Sequence, residues 1–275
     1  MSAAYVSLQL LPLREDRPDQ LAVMTLDRPD TFNAFNHNMI GQITECARKL
    51  RTETNVRALV LRGAGKHFCA GADLEWMQAS ATLSYDENVL DAKRLQEMFE
   101  SIDQLDVPII CLAHGSAFGG AVGLIALADI VLASADARFC LSEVKLGLLP
   151  AVILPYVARR MSAGSFRRYS LTARVFGVEA AVDAGLVDRV VPAEQLQSAL
   201  NEELNLLLAG SPEAQAQLKL LYRQARADQF RQSALTAESI AKARTSFYGQ
   251  SGLRAFFAKT DAPWKLSVAQ DWKLP

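Results

Sequence analysis

Twice in its first half the chain runs from a short apolar stretch straight into small residues that open a helix. Arg57 to Leu61 leads into Gly63 to Gln78 (GAGKHFCAGADLEWMQ), and Pro108 to Ala113 leads into His114 to Gly123 (HGSAFGGAVG) and the apolar run Ala121 to Ala128. A strand that passes into a helix needs a crossover before the next strand can lie beside it, so repeated units of this kind commit the chain to an α/β architecture. Gln20 to Leu26 and Ile130 to Ala133 add two more strand-like segments. Asn38 to Arg51, with Met39, Ile43, Ala47 and Leu50 on one face, and Asp86 to Leu105 read as the intervening helices.

From Glu194 onward the strand signal fades. Ala193 to Leu208, Pro212 to Ala227 and Ser233 to Thr245 are rich in helix formers, and Gly210, Ser211 and Pro212 punctuate them. The reading divides the chain into a core over residues 1–199 and a helical appendage over 200–275. With 275 residues, half of them apolar, there is material for a sizeable core.

The small-residue turns can do chemistry. Ala70, Gly71 and Ala72 let the backbone approach a bound group, and Asp73 opens a helix whose first amides point outward. Gly119 and Gly120 bare a second helix entrance in the same way. Each could equally be an ordinary tight turn, with Asp73 as its cap. Together, two sources of amide donors could converge on one oxygen and stabilise negative charge developing there. A third segment, Phe139 to Val152 (FCLSEVKLGLLPAV), places Glu143 among apolar residues, where desolvation would raise its pKa and suit it to proton transfer. The alternative is a surface glutamate paired with Lys145.

Composition excludes several classes. A net charge of −1 gives no positive field for nucleic acid. Arg14, Glu15, Asp16 and Arg17 interrupt the N-terminal stretch before a membrane span or signal sequence could form, so a cytoplasmic location is expected. Cys46, Cys69, Cys111 and Cys140 lack the close spacing of a metal site and read as buried, reduced thiols; no metal is expected. His67 and His114 flank the glycine turns and read as structural hydrogen-bonding groups, while Trp76 and Met77 read as pocket wall or core.

FCAGADL at 68–74, AFGGAVG at 117–123, SEVKLGLLP at 142–150 and AVDAGLVDRVVP at 181–192, preceded by DRPDTFNAF at 27–35, resemble the successive signature segments of the crotonase (enoyl-CoA hydratase/isomerase) superfamily. The resemblance implies a ClpP-like spiral of ββα turns followed by a helical trimerisation domain, and hence a homotrimer or homohexamer. It implies an acyl-CoA thioester substrate, with coenzyme A part of that substrate and no separate cofactor. Carried over by position, Ala72 and Gly120 supply the oxyanion-hole amides and Glu143 the acid-base group. Phe32, Ala34, Ala70, Asp73, Leu74, Gly119 and Gly123 fall on substrate- or coenzyme-binding segments, and Phe256 and Lys259 on the coenzyme-contacting tail helix.

One departure matters. Well-known hydratases of the superfamily use two glutamates, and Gly123 stands where the first would be. The wider sequence, AGADLEWMQ with FNAFNHNMI before it and LSEVKLGLLPAVILPYVARRM after it, nevertheless resembles bacterial hydratases of 3-methylglutaconyl-CoA and isohexenylglutaconyl-CoA, from leucine and acyclic-terpene breakdown. The implied function is hydration of a branched 2-enoyl-CoA by a single glutamate. A double-bond isomerase is the first alternative, since it needs only one proton-transfer group. A non-catalytic acyl-CoA or RNA-binding scaffold is the second.

Overall fold

The computed structural model describes residues 4–227 and 233–261. In chain order the elements are β1 (Val6–Pro12), β2 (Gln20–Leu26), α1 (His37–Leu50), β3 (Val56–Gly63), α2 (Leu74–Ser80), α3 (Tyr85–Asp103), β4 (Ile109–Ala113), β5 (Ser116–Phe118), α4 (Gly120–Leu127), β6 (Ile130–Ser134) and β7 (Arg138–Cys140). There follow α5 (Leu154–Arg160), α6 (Ala163–Thr172), β8 (Phe176–Gly177), α7 (Val178–Asp183), β9 (Arg189–Val191), α8 (Leu196–Leu208), α9 (Pro212–Ala227), α10 (Ser233–Thr245) and α11 (Phe247–Phe257).

Six strands form one sheet in the order β1-β2-β3-β4-β6-β9, with β1 antiparallel to β2 and the other pairs parallel. Three more form a small sheet, β5-β7-β8. Successive turns of chain visit the large sheet, then the small one, then a helix: β4-β5-α4 is one such turn, so the ββα spiral is present. Parallel strands buried on both faces read as continuous apolar runs. Met24, Leu59, Leu61 and Cys111 face the main core, while Val23, Val60, Ile110 and Leu132 face the other side, where Ala199, Leu200 and Leu204 of α8 cover them.

Helix starts follow local chemistry. The Asn36 side chain accepts from the Met39 amide to cap α1, and Ser84 with Glu87 closes a reciprocal capping box on α3. The long elements agree with the sequence reading to within a few residues. The N-terminal strand β1, the two- and three-residue strands β5, β7, β8 and β9, and the short helices between 154 and 183 were not marked by it. Helix α8 carries the chain across residues 199 and 200 without a break. The tail helices turn back on the core, α10 along α3 and α11 against the turn at 143–146. All four cysteines are free; Cys69, Cys111 and Cys140 are buried as expected, but Cys46 on α1 is only half-buried. Among the described residues no helix is long and apolar enough to cross a membrane, and no group of His, Cys, Asp and Glu is arranged to hold a metal ion.

Asn33 ties the loop before α1 to the first glycine segment. It is fully buried, its Nδ2 reaches the carbonyls of Ala64 at 2.8 Å, His67 at 2.8 Å and Phe68 at 3.2 Å, and its Oδ1 accepts from the Arg28 amide at 2.8 Å. Its φ of 57° lies in the left-handed region, which asparagine tolerates better than most residues. Asn33→Ala should therefore lose about 3 kcal/mol of stability in urea unfolding, from stranded buried carbonyls and backbone strain; a loss under about 1 kcal/mol would contradict this role.

Candidate active site

Three backbone segments meet at one point. The first two are zipped together by Phe68 N–H to His114 O (2.9 Å), Cys69 N–H to Ser116 O (3.1 Å) and Phe118 N–H to Cys69 O (3.1 Å). The third joins them as β7 pairs with β5, and Gly119 N–H donates to Cys140 O at 2.8 Å. Gly71 has φ of 96°, and a Cβ there would lie 2.8 Å from the Phe118 carbonyl oxygen, so only glycine permits this approach.

Several amides around this approach have no acceptor among the described residues, those of Ala72 and Gly120 among them. Neither Ala72 N–H nor Gly120 N–H donates to any described residue, although Gly71 O and the Asp73 amide on either side of Ala72 both bond to Phe35. Gly120 is the first residue of α4, where amides have no partner within the helix. Both residues line a cavity of about 810 Å³.

Glu143 lines the same cavity from the 3-10 turn Glu143–Leu146. A Cβ built on Gly119 would sit 3.4 Å from Glu143 Oε1, which fixes the carboxyl beside the second amide source. Its Oε2 is buried and has no hydrogen-bond partner among the described residues. Burial pushes the Glu143 carboxyl up to about 7, because the charged form loses its hydration without gaining a compensating cation. The pairing with Lys145 that a surface glutamate would make is absent from the ion pairs among the described residues.

Gly123 does not reach the cavity. A Cβ there would lie 2.8 Å from Ile153 Cβ and 2.9 Å from Phe99 Cε1, with Ile153 Cγ2 closer still. The space a second carboxylate would need is filled by apolar core.

A model of the enoyl-CoA hydratase/isomerase family matches residues 16–267. The chain belongs to this family. It is 38% identical to an enoyl-CoA hydratase crystal structure from Shewanella pealeana, with a TM-score of 0.76 and coverage of 95% of this chain and 96% of that one. Among curated proteins, the enoyl-CoA hydratase AKT6-1 of Alternaria alternata is 32% identical over 235 residues, 83% of this chain and 76% of that protein. The 1,2-epoxyphenylacetyl-CoA isomerase of Escherichia coli K12 is 33% identical over 178 residues, 63% of this chain and 67% of that protein. The family therefore brings hydratases and isomerases alike to bear on this site, and the fold is the crotonase spiral.

Of the residues expected at such a site, Ala70, Ala72, Leu74, Gly119, Gly120, Glu143 and Phe256 line the cavity. Asp73 caps α2, accepting from the Glu75 amide at 2.9 Å, and pairs with Arg28 at 2.9 Å. Ala34 gives its carbonyl to the Arg28 guanidinium. Phe32 is half exposed; its carbonyl accepts from the Ala70 amide, and its ring meets His67 edge-on. Lys259 lies just before the cavity-lining Thr260 and has φ of 54°. His67 Nδ1 accepts from the Ser116 amide and His114 Nε2 bonds to Gly65 O, so both histidines hold the turns in place. Trp76 and Met77 do form wall.

The sequence reading missed Phe35, Ile153 and Arg244. Ile153 lies in an apolar run and Phe35 among asparagines, with nothing to mark either as a cavity residue. Arg244 shares a buried face of α10 with Ile240 and Ala241, and a single cation on an apolar helical stripe was a usable signal.

Glu143 also sets a pH dependence of stability. The folded carboxyl holds its proton up to about 7 against an ordinary value of 4.5. Between those values the folded state binds more protons than the unfolded one, so stability falls as pH rises through the window. Glu143→Gln removes that penalty. Its stability relative to the parent chain should rise by about 2 kcal/mol between about pH 5 and about pH 8 in urea unfolding; a pH-independent difference would contradict the buried, desolvated carboxyl.

Proposed function

We propose that the chain is an enoyl-CoA hydratase that adds water to a branched 2-enoyl-CoA ester of the 3-methylglutaconyl-CoA or isohexenylglutaconyl-CoA kind, in leucine or acyclic-terpene breakdown. The observation that carries this reading is a desolvated Glu143, with one unbonded oxygen, facing a cavity that also presents two unpaired amides. The thioester carbonyl accepts from Ala72 and Gly120. The Glu143 carboxylate takes a proton from water, and the hydroxide so formed bonds to the β-carbon. The double-bond electrons move onto the thioester oxygen, where the two amides hold the enolate. Glu143 then gives its proton to the α-carbon, which restores the carbonyl and returns the carboxylate. Nothing is oxidised or reduced, so no cofactor is needed beyond the coenzyme A carried by the substrate. Each amide donor contributes about 3 kcal/mol of barrier lowering.

An isomerase reading is favoured by one observation, the packing of Ile153 and Phe99 into the space of a second carboxylate. Removal of a proton from one carbon and its return to another needs only Glu143. A scaffold without chemistry accounts poorly for a desolvated carboxyl kept facing the cavity. We further propose that the protein works in the cytoplasm as a trimer or a dimer of trimers. Exposed Leu206, Leu218, Leu221 and Phe247 on the tail helices support assembly.

In water enriched in heavy oxygen, the product of a branched 2-enoyl-CoA should carry the label, and the rate should rise with an apparent pKa of about 7. Glu143→Ala should lower turnover by about a thousandfold while thioester binding persists. Unlabelled product with a shifted double bond would establish the isomerase instead, and near-normal turnover by the variant would sink both.

A further inference from the structure

Four charged residues line the cavity. Glu143 and Lys145 stand on the third segment, Asp261 follows the last helix, and Arg244 stands on the wall built by α2, α3 and α10. Arg244 is 9% exposed. Its Nη1 donates to Asp91 Oδ2 at 2.8 Å, and its guanidinium carbon lies 5.8 Å from the centre of the Trp76 ring. Asp91 is itself buried, and its Oδ1 accepts from Trp76 Nε1 at 3.2 Å and meets His37 Nδ1 at 3.3 Å.

This cluster is a costly way to fasten α10 to α3. Burying an ion pair loses hydration on both groups, and packed apolar side chains do the same work as well or better. What an apolar contact lacks is an outward-facing donor edge. Arg244 keeps one: neither its Nε nor its Nη2 bonds to a described residue. Asp91 is itself anchored by the Trp76 indole N–H, so it holds one edge of the guanidinium fast and fixes where the other points. A planar fork held this way matches a carboxylate.

Its place along the cavity gives it a role. Ala72 and Gly120 mark where the reacting carbonyl would lie, and α2 leads away from Ala72 through Trp76, the residue over which Arg244 sits. Leu95 and Ile240 line the same cavity, and their apolar surfaces suit the body of an acyl chain.

We propose that Arg244 is a specificity-determining residue that receives a carboxylate at the distal end of the acyl chain, with Asp91 as its positioning residue. The inference rests on the cavity being an acyl-thioester site, as under Proposed function, but not on any reaction taking place there.

Calorimetric titration with saturated glutaryl-CoA and adipyl-CoA, and with the monoamide of each, tests it without chemistry. At the chain length that reaches Arg244, the protein should bind the acid at least about tenfold more tightly than the amide, the range expected of hydrogen bonds to a charged group. Arg244→Gln should bring that ratio to about one, and Arg244→Lys should leave it in between. Thermal melting checks that the variants fold; if loss of the partner to Asp91 unfolds both, the ratio in the unsubstituted protein decides alone. Equal binding of acid and amide at both lengths, or an unchanged ratio in Arg244→Gln, would overturn the assignment while leaving the thioester site standing. Failure of all four esters to bind would overturn both.

Discussion

The site depends on one close approach of two backbones. Gly71, with its positive φ, lies so near the Phe118 carbonyl that a Cβ would fall 2.8 Å from that oxygen. The carbonyls and amides around this point are spent on each other, from Phe68 to His114, Cys69 to Ser116 and Phe118 to Cys69. Among the amides without a partner among the described residues are Ala72 N–H and Gly120 N–H, and both residues lie in the cavity wall. Fixed dipoles of this kind need no reorganisation when charge develops on a substrate oxygen, which is why backbone amides stabilise an enolate more effectively than mobile water. Asn33 and the Arg28–Asp73 pair stiffen the same region from the side of the first loop.

The proposed acid-base group obeys a different constraint. The pKa of Glu143 is raised by loss of water rather than by a neighbouring charge, so it depends on how well the cavity is sealed. The tail helices contribute to that seal. Ile240, Leu253 and Phe256 come from α10 and α11 of the same chain. Ile153 and Phe99 meanwhile occupy the position from which a second carboxylate would act. The loss of that group is thus a matter of packing as well as of residue type, and a glutamate at position 123 would have to displace core side chains.

Long elements were legible in the sequence through their residue types: Gln20–Leu26 is an apolar, β-forming run, and Pro212–Ala227 and Ser233–Thr245 are runs of helix formers, each with the bounds read from the sequence. Strands of two or three residues, such as Phe176–Gly177, are too short to show a period and exist only because the spiral brings a partner alongside. The glycine turns and Glu143 were legible through their residue types and their likeness to the family's segments. The closure of the Gly123 position was not, since it takes Ile153 and Phe99 from distant parts of the chain. The Asp91–Arg244 pair was hidden for the same reason, its partners being 153 residues apart.

The central claim is that Glu143 and the two free amides form a single unit for moving a proton at the carbon next to a thioester carbonyl. Exchange of the α-hydrogens of a saturated thioester such as butyryl-CoA in heavy water, followed by NMR, reads that unit alone, whatever the natural acyl group. The account predicts deuterium entering at the α-carbon in the presence of the protein, faster as the pH rises to about 7 and then level, and no catalysed exchange with Glu143→Gln. Exchange at the same rate in that variant, or none with the unsubstituted protein, would contradict it.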